Sequence, residues 1–253
     1  MPQIALRRDE SKKRWADMLT GYLIAVVLAA LALTRLPGAI HGRNILIASS
    51  AAAIVLAFAL ITPDVYAALD RFSPIPNLVD LVAKLALFTG LLLAGTQVAR
   101  AWRAPETQRR ISGLPGVLVF LGVFVAEVVI FAVVHTTSSA PDLADNLSSP
   151  LVRLYSTLAT AYPAYIAALL LPHVRRGLSS SQEATKATSR FLFVGFVLAG
   201  VRFVLGLATL LLPATYYVGQ VVSGVAAIFV ALGLATAFFA RLGRQRQSQK
   251  QYR

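Results

Sequence analysis

The chain has 253 residues, of which 57% are hydrophobic and 14% charged, with a formal charge of +13 and a mean hydropathy of +0.68. That balance excludes a soluble globular domain and a disordered chain, and leaves the integral-membrane class. The absence of cysteine excludes disulfides and thiolate metal sites. The basic residues stand in short runs between apolar blocks, where they orient a chain in a bilayer and meet anionic lipid, and no basic face is large enough for a nucleic-acid groove.

The apolar residues come in blocks of about 20, enough for a helix to cross a hydrocarbon layer ~30 Å thick, and not in the alternation of a membrane β-barrel. The fold class is therefore all-α, a seven-helix transmembrane bundle. Residues 1–14 form a basic tail with Arg7, Arg8, Lys12, Lys13 and Arg14. The first span covers 15–33. Tail and span together imitate a secretory signal peptide, with small residues at Ala30 and Ala32, but are read as a retained first helix. The second span, 45–61, is rich in small residues that suit close helix contact. Residues 62–76 hold three prolines with Asp64, Asp70 and Arg71, and read as a loop or a surface-lying turn of helix.

The third span, 78–98, carries Asp80 and Lys84 one helical turn apart. An ionised side chain deep in a bilayer costs about 2.5–3.5 kcal/mol on insertion scales, so each should face the bundle interior, a partner or a wet cavity. A basic connector with Arg100, Arg103, Arg109 and Arg110 follows. The fourth span, 114–134, is interrupted by Glu127. Residues 135–150 form a turn-rich stretch without Lys or Arg. The fifth span, 151–171, has Pro163 inside it, which removes a backbone hydrogen bond and kinks a helix, with Tyr155, Tyr162 and Tyr165 around it. The sixth, 191–212, carries Arg202. The seventh, 216–240, carries Gln220 and Ser223, and residues 241–253 close the chain as a second basic tail.

With seven spans the termini lie on opposite sides. The connectors after spans one, three and five and the C-terminal tail hold about twice the Lys and Arg of the other set, which predicts an outside N-terminus and a cytoplasmic C-terminus in a bacterial inner membrane. At ~1.5 Å of rise per residue, Lys84 and Glu127 lie roughly 10 Å below the outer boundary and Arg202 roughly 15 Å below it. Tyr155, Gln220 and Ser223 fall in the same half. Gly195, Ala199, Gly206 and Thr209 share a helical stripe with Arg202, and small residues mark protein-facing sides of membrane helices, so Arg202 is expected to point inward. The charges are expected to form a balanced outer-leaflet cluster, Asp80 and Glu127 against Lys84 and Arg202.

His135 and His173 sit at span ends, where a solvated histidine is the ordinary outcome. There is no HExxH, GxSxG elbow or Gly-rich phosphate loop, so no metal, no cofactor and no catalytic residue is expected. The last span has no lysine for a retinal Schiff base.

The passage TPDVYAALDRFSPIPNLVDLVAKL, residues 62–85, with its Pro76-Asn77-Leu78 entry to span three, resembles the corresponding loop and helix start of a family of actinobacterial seven-helix membrane proteins labelled as transporters. The likeness extends through PLVRLYSTLATAYPAYIAALLL and SRFLFVGFVLAGVRF. Members of that family continue into a cytoplasmic domain, where this chain has only residues 241–253; the resemblance implies a transport role and carries over no catalytic residue.

Two functions follow as expectations. The first is a small transporter or receptor that binds a ligand, ion or peptide from the outer face through Asp80, Lys84, Glu127 and Arg202, with Tyr155, Gln220 and Ser223 beside them. The alternative is a non-catalytic subunit or effector that works through helix contacts with another membrane protein, for example in defence or phage exclusion. The partners are the lipid bilayer and a membrane protein or second copy.

Overall fold

In the computed structural model the described residues are 45–134 and 140–251, with the side chains of 238 and 241–251 outside the description. The first predicted span and the two ends of the chain lie outside these residues. The helices are α1 Ile45–Leu60, α2 Pro63–Phe72, α3 Leu78–Ala101, α4 Pro105–Ser112, α5 Leu114–Val133, α6 Pro150–Gly177, α7 Glu183–Leu211 and α8 Thr215–Gln251, with a short 3-10 segment, Pro141–Asn146, before α6. No strand occurs among the described residues.

Proline sets many of the boundaries. Pro63, Pro105 and Pro150 stand at the first turns of α2, α4 and α6, where the missing N–H costs nothing and the fixed φ already suits a helix. Pro163 and Pro172 lie inside α6, which continues through both to Gly177.

The chain is a membrane protein, and among its described residues five helices are long and apolar enough to cross a bilayer: α3, α4 with α5, α6, α7 and α8 to Ala237. A sixth span exists if α1 and α2, bent by 82° at Thr62, are one broken crossing. The lipid-facing character is direct: Leu118, Leu121, Val125 and Val129 of α5 and Val197, Val201 and Val204 of α7 are exposed. The stretch at 62–76, read as a loop or a surface-lying turn of helix, contains α2, and the basic connector after span three contains α4. Each is amphipathic and buries one side, Tyr66 and Asp70 on α2 and Thr107 and Ile111 on α4.

Packing follows small residues. A Cβ on Gly195 of α7 would lie 2.7 Å from Val230 Cγ2 and 3.1 Å from the Val230 backbone nitrogen of α8, so this helix pair approaches as closely as it does because Gly195 has no side chain. The main core joins Phe88 and Val98 of α3, Tyr162, Ile166, Leu170 and Val174 of α6, and Leu192 and Phe196 of α7. Tyr162 is fully buried with its ring centroid 5.4 Å from Phe88 and 5.5 Å from Phe120, a packing residue as the common pattern for membrane aromatics would have it. A smaller core of Leu81, Ile130, Leu143, Val152 and Tyr155 sits towards one end of the bundle.

The two ends differ in charge. One carries the turns around 73–77, 140–149 and 212–215. The other carries 102–113 and 178–182, where Arg100, Arg103, Arg109, Arg110, Arg175, Arg176 and Arg190 are exposed. His173 is at this second end, half-buried, with its Nε2 2.7 Å from Thr107 Oγ1 of α4.

Candidate functional site

The site lies at the first end, where the start of α3, the close of α5, the start of α6, the close of α7 and the start of α8 converge. Its frame is Asn77, fully buried and left-handed at φ 62, a conformation asparagine tolerates better than most residues. The Asn77 Oδ1 accepts from Tyr66 Oη at 2.7 Å and from the Ala140 N–H at 2.9 Å, and the Asn77 N–H donates to Asp70 Oδ1 at 2.7 Å. One side chain thus ties α2, the start of α3 and the segment before α6 together.

Next inward is the ion cluster. Lys84 Nζ stands 3.2 Å from Asp80 Oδ2, 2.9 Å from Asp142 Oδ1 and 4.0 Å from Glu127 Oε1, and 3.3 Å over the centre of the Tyr155 ring. Tyr155 donates to Asp80 Oδ2 at 2.6 Å, and the Asp142 N–H donates to Asp80 Oδ1 at 2.8 Å. Ser156 Oγ donates to Asp142 Oδ2. Asp80, Lys84, Tyr155 and Ser156 are buried, and in a low-dielectric interior such a pair holds only when its remaining bonding positions are filled. Here they are filled for Asp80, Lys84 and Asp142.

Asp142 was not singled out in the sequence. It and Leu143 are both left-handed, at φ 57 and φ 54, and this turn sends the Leu143 side chain into the small core while Asp142 faces Lys84. The one signal in the sequence was an acid after Pro141 in a stretch devoid of Lys and Arg.

The expected set, Asp80 and Glu127 balancing Lys84 and Arg202, has a third acid, Asp142, beside Lys84. Glu127 is fully buried and leans on Lys84, but neither of its oxygens has a hydrogen-bond partner. Arg202 is 4% exposed, inward-facing as its stripe of small residues indicated, and its Nε donates to Ser223 Oγ of α8 at 3.0 Å. Among the described residues no carboxylate lies within 4.0 Å of it, and its Nη1 is buried without a partner. The physical reason is Asp142: it enters from the turn, takes the position beside Lys84, and turns a two-against-two set into three acids around one lysine with a separate arginine. Gln220 is exposed, with Nε2 3.5 Å from Asp142 Oδ2, at the edge between the two groups.

No protein-family model, curated protein or solved structure matches the chain. Asn77, at the entry to α3, has a definite task here, the triple tie just described.

All seven residues singled out in the sequence, Asp80, Lys84, Glu127, Tyr155, Arg202, Gln220 and Ser223, lie at this end. They divide into a satisfied core (Asp80, Lys84, Tyr155, with Asp142 and Ser156), an acid behind it (Glu127) and a basic seam beside it (Arg202, Ser223), with Gln220 between. Chemically the arrangement can hold a charged group and exchange ion-pair partners around Lys84. Its two hydroxyl–carboxylate contacts are Tyr155 with Asp80 and Ser156 with Asp142.

Proposed function

We propose that the protein is a seven-span member of the bacterial inner membrane that binds a charged ligand from the outer face, as a small transporter or receptor, and does no covalent chemistry. The observation that carries this reading is the unfilled bonding capacity of Glu127 and Arg202 on either side of a satisfied core. A buried polar group left without a partner costs about 1–3 kcal/mol, more when charged, so a cation and an acid kept in that state at one end of a bundle are best explained by a ligand that completes them. The seven spans combine the five long helices, the bent α1 and α2 as one crossing, and the apolar block 15–33. The outside assignment of the cluster end is supported by the exposed arginines at the opposite end, which the positive-inside rule puts in the cytoplasm. Transport agrees with the family resemblance of residues 62–85.

The test is a melting screen of purified protein against charged solutes: amino acids, carboxylates, amines and inorganic ions. A ligand of the cluster should raise the melting temperature in a saturable way, and Glu127→Gln and Lys84→Gln should weaken the effect. The reading fails if no charged solute stabilises the wild type, or if every stabilising solute acts equally on both variants.

A further inference from the structure

We infer that the seam between α7 and α8 is a binding site for an oxyanion, the carboxylate or phosphate group of a ligand, with Arg202 as its anchor and Ser223 as the residue that aims it. This rests on the ligand-binding reading above and names the chemistry at one edge of the same site.

Arg202 is the best-buried cation without a counter-ion among the described residues. Lys84, at similar burial, has two carboxylates within 3.2 Å; Arg202 has none within 4.0 Å. A guanidinium taken from water loses several kcal/mol of hydration, which only an anion or a full set of acceptors restores. Ser223 supplies one acceptor, to Nε, and Nη1 faces none. The planar fork is therefore fixed at Nε, while Nη1 is enclosed with its bonding capacity unfilled; an oxyanion is the partner that arginine's fork takes with parallel N–H bonds.

The neighbouring backbone is cut back to fit the guanidinium. A Cβ on Gly219 would lie 2.9 Å from Arg202 Nη1, 3.0 Å from Cζ and 3.1 Å from Nε. On the other side a Cβ on Gly206 would lie 3.5 Å from Nη1. Two glycines on different helices thus bracket the group. Gly219 also falls in the second turn of α8, close to the positive end of that helix, which adds a favourable field for an anion. Gln220, next along the chain, is exposed and marks the surface nearest the seam.

Asp142 limits what can bind. It faces the seam through Gln220, so a ligand anion enters a site that already feels one carboxylate. A singly charged group suits this better than a doubly charged one, and a carboxylate or phosphodiester is expected to bind more tightly than inorganic phosphate in its dianionic form.

The anion can belong to a soluble ligand or to a lipid headgroup, and the experiment separates the two. Purified protein in neutral detergent is titrated with acetate and inorganic phosphate, and protein in nanodiscs is compared with and without phosphatidylglycerol, with melting temperature and equilibrium binding as readouts. Saturable binding in either arm, weakened about tenfold or more by Arg202→Gln and reduced by Ser223→Ala or Gly219→Ala, is the expected result. Arg153→Gln, at the same end, should leave it unchanged. A response in detergent assigns a soluble ligand; one seen only with phosphatidylglycerol assigns the lipid. The inference is overturned if no anion binds the wild type in either arm, or if binding is indifferent to Arg202→Gln, Ser223→Ala and Gly219→Ala alike. A charged solute that needs Lys84 and Glu127 but not Arg202 would overturn this inference while leaving the proposed function standing.

Discussion

Lys84 Nζ is closer to Asp142, 58 residues away in the sequence, at 2.9 Å, than to Asp80, one turn away on its own helix, at 3.2 Å. The local pair that a helix would form by itself is thereby subordinated to a contact that exists only in the assembled bundle. Asp142→Asn keeps the shape and the Ser156 contact but removes the charge. It should lower stability by about 1–3 kcal/mol, read from thermal unfolding in detergent, whereas Asp145→Asn, on an exposed side chain in the same segment, should stay within about 0.5 kcal/mol. Equal effects of the two would show that the segment's ion pair contributes nothing.

Asn77 is the second point of leverage. Asn77→Ala leaves Tyr66 Oη and the Ala140 N–H without their common acceptor and places a Cβ-bearing residue without a side-chain amide in the left-handed region. The expected loss is about 2–4 kcal/mol, larger than for Tyr66→Phe, which removes only one of the two donors. Should Tyr66→Phe cost as much as Asn77→Ala, the tie to the Ala140 segment is not the stabilising element.

Glycines separate into those that set helix distance and those that do not. Gly195→Val should destabilise the α7 and α8 pair strongly, because its side chain would meet Val230 and the α8 backbone. Gly200→Ala has nothing within 4 Å of the new methyl, so it should be neutral or stabilising by up to ~1 kcal/mol through helix propensity. Unfolding of the two variants in the same detergent distinguishes them.

Topology can be read by labelling, since the chain has no cysteine of its own. Asp145→Cys should react with a membrane-impermeant maleimide in intact cells, while Gln108→Cys and Ser181→Cys should react only after permeabilisation. The reverse pattern would place the cluster end in the cytoplasm and remove the outer-face element of the proposed function.

Much of this arrangement could be read from the residues alone, and the exceptions share a cause. Every apolar block from 45 onward became a helix, and depth along the chain correctly gathered Asp80, Lys84, Glu127, Tyr155, Arg202, Gln220 and Ser223 at one end, because rise per residue and block length are local properties. Asp142 was invisible because a loop acid is ordinarily solvated; only the left-handed turn at 142–143 brings it inward. For the same reason the expected balance of two acids against two cations left out the third acid beside Lys84, a residue outside the spans. A turn of helix at α2 was one of the two readings of 62–76, whereas α4 lay within what read only as a basic connector; Pro63 and Pro105 serve as helix starts.

The wide sequence spacing of the cluster bears on how the protein is made. When α3 enters the membrane during synthesis, Lys84 has only Asp80 to neutralise it; Asp142 and Tyr155 are not yet synthesised, being 58 and 75 residues from their partners. Glu127 then arrives on a helix with no cation of its own. The pair one turn apart thus makes α3 near-neutral by itself, and the contacts of Lys84 with Asp142 and of Asp80 with Tyr155 can form only once the turn at 142–143 and α6 have been made.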